Sequence, residues 1–439
     1  MMAGSSGQGE MRGRAARCGA TGRSGGRRAG AVVVAVAAGL VLVPFLLGSC
    51  SVSGHPGVSP TGPDQARTLA LARTEFAHAA AAVSAHDRAA FMRWLPGDSS
   101  ATSVAARRAL GAVFDTLSRL PWRTFSLSVT PLDGEKGVYR VVGSGRLGAA
   151  GPADRLAVVR YLALRESSAG AAVVTGDRTP EDLRRRYLMA LHEPVVLRRP
   201  GLIVLADRWA RGRAHTVLTA AEHARPRLVT LGLDTSPTVV ITIFGSATDV
   251  RDALAVKAPT QRLVYFAYPP LHVAKTTWDV YDVGVIGPWL HDPGLSLDAV
   301  LTHELAHAYT MRWFAHVARP PSLLAEGIAE AAEGVVVTPA LREEVATGDQ
   351  LWPLPQSFGA ADVWDGASAE EVGLGYEVGG TLVEYVVARW GPARLRPFVE
   401  AVAAARPTTA GMDAALGEAL GVDWRRFYAG WRRYVLRGG

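Results

Sequence analysis

Two hydrophobic rhythms divide this chain. The first combines helix and alternation: "LALARTEFAHAAAAVSAHDRAAFMRWL", ending at Leu95, carries apolar residues at helical spacing in an alanine-rich background, and "SVAARRALGAVFDTLSRL" continues it. Four segments that alternate or cluster β-branched residues between Gly, Pro and Asp follow, namely "TFSLSVTPL", "GVYRVVGSGRL", "RLAVVRYLALRE" and "GAAVVTGD", and they predict strands. A second rhythm begins near Val195. There "GLIVLADRW" predicts a strand entering a helix, "AHTVLTAAEHARPRLVTLG" a helix, and "TVVITIFGSATDVRDAL" a strand followed by a helix. Two more strand candidates, "RLVYFAY" and "TTWDVYDVGVIGPWL", lead into the helical "LSLDAVLTHELAHAYTMRW", whose Leu297, Val300, Leu301, Leu305 and Ala308 form an apolar stripe.

These patterns predict an α+β chain with an accessory unit over 64–194 and a second unit over 195–439. Helices followed by an antiparallel meander resemble the small cone-shaped α+β fold of the nuclear-transport-factor type, which implies a scaffold domain or a ligand pocket. With 439 residues, 49% hydrophobic and 20% charged, the chain can build more than one core. Its basicity is local, because Arg12, Arg14, Arg17, Arg23, Arg27 and Arg28 against Glu10 supply five of the seven net positive charges. The remaining body is near neutral, which argues against a nucleic-acid partner.

The arginine-rich start precedes the apolar run "AVVVAVAAGLVLVPFLLGS" and Cys50, so 1–49 reads as an export signal. Leu47-Gly48-Ser49-Cys50 resembles the bacterial lipobox, and the resemblance implies lipid attachment at Cys50 on the extracytoplasmic face of the cell membrane. An uncleaved membrane anchor is the alternative, although Pro44 would interrupt such a span. Residues 50–63, small and rich in Pro, Gly and Ser, predict a flexible tether. Cys18 falls in the signal and Cys50 would carry lipid, so the mature chain has no disulfide and no cysteine for a metal.

His303, Glu304 and His307 stand in the order H-E-x-x-H. Positions i and i+4 lie about 40° apart around a helix, so both histidines can reach one Zn²⁺, while Glu304 points roughly 100° away toward a water. The competing reading is a buried helix that happens to carry two histidines. Ser296 is a natural cap for this helix and Asp298 complements its dipole.

After a Pro-Pro break, "RPPSLLAEGIAEAAEG" places Glu326 nineteen positions beyond His307 in an E-G-x-A-E setting. This arrangement resembles the gluzincin superfamily of zinc peptidases, in particular the bacterial peptidase-MA-like domains. "GYEVGGTLVEYVVARWGPARLRPFVEAV" and "ALGEALGVDWRRFYAGWRRYV" are similar to the later helices of that family. The resemblance implies a zincin-like domain with a mixed sheet and a helical C-terminal part. It also implies zinc held by His303, His307 and Glu326, with Glu304 as general base and Glu330 steadying a zinc histidine. Tyr376 would stabilise the oxyanion, and the substrate would be a peptide or protein. The G-A-M-E-N box of the large aminopeptidases is absent, which sets aminopeptidase activity apart.

A lipid-anchored binding or assembly protein with a zinc-stabilised, non-catalytic domain is the alternative function. His215, His223, His272, His291 and His316 have no partner at ligand spacing, and Trp278–Val285 fits either an edge strand that pairs with substrate or a plain sheet strand.

Overall fold

The computed structural model describes residues 62–95, 100–148, 155–184, 187–191, 193–254, 265–268, 282–286, 296–317, 320–347 and 368–439. The export signal and Cys50 lie outside these residues, as do His272 and His291.

The first layer follows from the alanine-rich pattern. Helix α1 (Pro63–Ser84) opens on Pro63, whose missing N–H costs nothing at a first turn, with Asp64 beside it. Short α2 (Arg88–Met92) and α3 (Ala101–Leu117) follow, each capped by a side chain, Asp87 accepting from Ala90 N and Ser100 from Ser103 N. Strands β1 (Trp122–Pro131), β2 (Val138–Leu147), β3 (Arg155–Glu166) and β4 (Ala172–Asp177) form an antiparallel meander in sequential order. Phe76, Leu110, Phe114 and Leu117 of the helices join Val141, Leu162 and Val174 of the strands in one core.

A short α4 (Glu181–Arg184) leads to the second sheet. Its β5 (Val195–Arg199) and β6 (Leu202–Ala206) turn through Pro200-Gly201, where Gly201 has φ +75°, a conformation that favours glycine. Helix α5 (Arg211–Thr230), β7 (Val239–Phe244), α6 (Ala247–Leu254), β8 (Tyr265–Tyr268) and β9 (Asp282–Ile286) complete a sheet of order β5-β6-β7-β9-β8. Strands β6, β7 and β9 are parallel, and β8 runs antiparallel on β9 at the border. Of the two readings of Trp278–Val285, the described part fits the plain sheet strand, because Asp282–Ile286 is paired on both sides; 278–281 lie outside the described residues. Among the described residues the edge on this side is Tyr265–Tyr268.

This sheet is covered on both faces. Leu202, Val204, Val239, Ile241, Ile243, Val283 and Val285 face one core with α5 and the later helices, while Ile203, Leu205, Val240 and Phe244 belong to the core of α1, α3 and the meander. Double burial is why "LIVLA" and "VVITIF" read as near-continuous apolar runs, interrupted only by Thr242, rather than alternating ones.

The later described elements are helices: α7 (Leu297–Thr310), α8 (Ser322–Glu333), α9 (Pro339–Thr347), α10 (Ala369–Trp390), α11 (Leu395–Ala404), α12 (Thr409–Leu420) and α13 (Trp424–Arg437). Boundaries are written in the caps. Ser368 and Glu371 form a reciprocal capping box, Thr408 and Asp423 cap α12 and α13, and Gly421 closes α12 in the left-handed region at φ +73°. Trp431 Nε1 donates to Thr381 Oγ1 at 3.1 Å and ties α13 to α10. Among the described residues no helix is long and apolar enough to cross a membrane.

Because Leu205 is fully buried between the meander and the second sheet, Leu205→Ala should cost about 2–5 kcal/mol of stability in urea unfolding. A loss under roughly 1 kcal/mol would mean that this face is not a packed junction.

Candidate metal centre

Helix α7 is buried on every side in its C-terminal two thirds. Ser296 caps it by accepting from Ala299 N at 3.4 Å, and Asp298 sits in its first turn. Leu301, Leu305 and Tyr309 enter the core shared with α5 and the sheet, yet Thr302, His303, Glu304 and His307 are buried as well. The two threonines satisfy themselves within the helix, Thr302 Oγ1 donating to Asp298 O at 2.6 Å and Thr310 Oγ1 to Ala306 O at 2.7 Å. Titratable groups have no such local solution.

Their partners come from α8, which packs against α7 after the Pro320-Pro321 break. Glu326, 1% exposed, places Oε2 3.2 Å from His303 Nε2 and 3.5 Å from His307 Nε2. The imidazoles stand edge to face, ring centroids 4.9 Å apart. One donor atom from each of His303, His307 and Glu326 lies within 4.8 Å of the others, a span that could hold a metal ion.

The position of Glu326 depends on glycine. A Cβ on Gly327, its neighbour, would meet the Gly379 backbone of α10 at 2.5 Å, and one on Gly379 would meet Leu323 O at 2.5 Å. Helices α8 and α10 thus cross backbone to backbone. Thr338 Oγ1 donates to Glu377 Oε2 at 2.6 Å and fixes α10 to the segment after α8. Arg227 of α5 donates to the carbonyl of Glu333 and secures the end of α8.

A second pair of carboxylates faces the outer nitrogen of His303. Glu333 Oε1 stands 2.7 Å from Nδ1, an ion-pair contact whose direction falls outside hydrogen-bond geometry, and Glu330 Oε1 stands at 3.9 Å. Glu333 is the site residue that sequence reasoning missed. Its signal was present, since Glu326, Glu330 and Glu333 recur at i, i+4 and i+7 and so share one face of α8.

The charges lean on one another. Burial pushes Glu326 up, but His307 and His303 outweigh it and hold the carboxyl at about 2. For His303 burial acts downward, and Glu326, Glu333 and Glu304 outweigh it, so the imidazole is raised well above its ordinary value. Glu330 is pushed up to about 7, chiefly by burial.

Donor chemistry tests the fit of a metal. Both nitrogens of His303, Nδ1 of His307 and both oxygens of Glu326 are buried without a hydrogen-bond partner among the described residues. So many unsatisfied polar atoms at one point are costly, and a metal would bond one ligand atom from each residue. Two imidazoles and a carboxylate, with no thiol, form a set of the type that holds zinc and leaves a fourth position for another ligand.

Glu304 is 3% exposed and adjoins His303 in the chain; Tyr376, 6% exposed, lies on α10 one turn before Gly379. Of the remaining histidines, His223 Nδ1 is 3.9 Å from Asp298 on the surface and His316 Nε2 contacts Glu400 O at 3.1 Å. Comparison of the chain with protein-family models and with characterised proteins found no match.

The crossing of α8 and α10 predicts an asymmetry between two glycines. Gly379→Ala should lower stability by about 1–3 kcal/mol, as overpacking does. Gly417→Ala, in α12 with nothing within 4 Å of the added carbon, should be neutral or stabilising. Thermal unfolding of both variants checks this, and equal effects would contradict the close crossing.

Proposed function

We propose that this protein is a membrane-anchored extracytoplasmic zinc peptidase of the gluzincin kind. The observation that carries the reading is the convergence of His303, His307 and Glu326 inside the protein, on the H-E-x-x-H helix and the one after it. Zinc is the metal proposed, held by those three side chains. When bound it supplies Lewis acidity, acidifying a water and polarising a carbonyl oxygen.

The chain's own residues do the rest. Glu304 follows His303 directly, and the helix turns its carboxylate about 100° from that ligand. It therefore takes a proton from the water without occupying a ligand position, and hands it to the leaving amine. Glu333 and Glu330 set negative charge beside the outer nitrogen of His303, which favours the ring orientation that aims Nε2 inward. Tyr376 is proposed as the oxyanion donor, a contribution of roughly 3 kcal/mol where such a bond is preorganised. The substrate is a peptide or protein, reached from a lipid anchor at Cys50.

A second reading has one observation in its favour. Glu304 and all three proposed ligands are at most 3% exposed, which suits a metal held for stability in a lipid-anchored binding protein.

Two variants separate these readings. Glu304→Gln should retain zinc and fold while peptide hydrolysis falls by roughly 10²- to 10⁴-fold, the expected loss for a general base. Glu326→Gln should lose zinc and hydrolysis together, because a neutral amide is a poor ligand. Undiminished hydrolysis by Glu304→Gln would refute the catalytic role of Glu304, and zinc-loaded protein inert toward every peptide would leave the structural reading.

A further inference from the structure

The last helix, α13, has two unlike faces. Phe427, Trp431 and Val435 are buried in the helical core. Arg425, Arg426, Arg433, Leu436 and Arg437 are exposed, and Ala429 and Arg432 are half-buried beside them. At about 100° per residue these seven positions fall within roughly 140° of arc. The helix contains no acidic residue. The body beyond the export signal is near neutral, so this density of arginine is local rather than average.

The same face carries a groove of about 810 Å³. Trp424 and Tyr428, stacked at 5.7 Å, line it, with Arg425, Arg432, Arg433 and Leu436. Two acids adjoin it, and both are engaged in capping. Asp413 Oδ1 accepts from Trp424 N at 2.7 Å, and Asp423 accepts from Arg426 N at 2.7 Å and stands 3.6 Å from its guanidinium. Arg432 is partly committed through Val345 O. Arg425, Arg433 and Arg437 remain directed at solvent, with Leu436, 46% exposed, between them.

We propose that this face docks on an anionic phospholipid surface. Arginines around an exposed leucine and two amphipathic aromatics match the chemistry of a bilayer interface, where phosphates lie above acyl chains. An anchor at Cys50 would also keep the protein close to a membrane. The first described helix starts at Pro63, thirteen residues after Cys50, so even a fully extended link spans at most about 45 Å. That second argument rests on the anchor reading; the charge and shape of α13 do not.

The test uses the mature chain, residues 50–439 with Cys50→Ser, so that neither attached lipid nor the arginine-rich, apolar export signal contributes, in flotation with phosphatidylcholine vesicles and with vesicles containing phosphatidylglycerol. The parent should prefer the anionic vesicles, and added salt should weaken the preference. Replacing Arg425, Arg433 and Arg437 by Gln should reduce anionic binding by roughly a hundredfold, at about fivefold per arginine. Binding to neutral vesicles and the unfolding midpoint should not change. Equal binding to both vesicle types, or an anionic preference that survives the triple substitution, overturns the proposal. So does tighter binding of the parent to duplex DNA than to the anionic vesicles. Acylation of Cys50, read separately by lipid labelling of the unmutated chain, can fail without affecting this result.

Discussion

Everything around the centre answers one constraint: two imidazoles and a carboxylate are held in the interior with few neutral partners. Isolated charges there would cost several kcal/mol each. They are tolerable only as a mutually compensating set, and the distances of 3.2 and 3.5 Å from Glu326 to the two histidines describe such a set. The set in turn requires α7 and α8 at close quarters. Gly327 and Gly379 let α8, which carries Glu326, lie directly on α10. A metal at this point would take one ligand atom from each of the three residues, and so relieve part of the set of buried polar atoms that have no hydrogen bond among the described residues.

The sheet beneath is the rigid support. With one face against α5 and the later helices and the other in the N-terminal core, it cannot shift without disturbing both. A site built on helices braced this way is held more firmly than one on loops. The carboxylates at the outer nitrogen of His303 refine the arrangement locally. Glu333, at 2.7 Å, lies nearer than Glu330 at 3.9 Å, so the closer orienting charge comes from the last turn of α8, which Arg227 pins through its carbonyl.

Much of this was legible in the chain and some was not, for physical reasons. Local signals spoke clearly: Ser296 as a cap, the alternation of the meander, and the i, i+4 spacing of His303 and His307. Non-local pairing did not. Nothing in "TTWDVYDVGVIGPWL" says that β9 lies inside the sheet with the shorter β8 outside it, because strand order is decided by what each strand packs against. The role of the N-terminal core in covering the second sheet was hinted at only by the near-continuous apolar runs of β6 and β7. Glu333 lies beyond the E-G-x-A-E setting, which ends one turn after Glu326, although the acidic stripe of α8 continues to it.

The central claim is that His303, His307 and Glu326 share one metal ion. X-ray absorption at the zinc edge of the purified protein tests it most directly. About one zinc per chain is expected, with two imidazole nitrogens at ~2.0–2.1 Å and oxygen at ~2.0–2.2 Å, and no sulfur near 2.3 Å. His307→Ala should abolish that signal. Protein that takes up no zinc, or a spectrum unchanged by His307→Ala, would contradict the account.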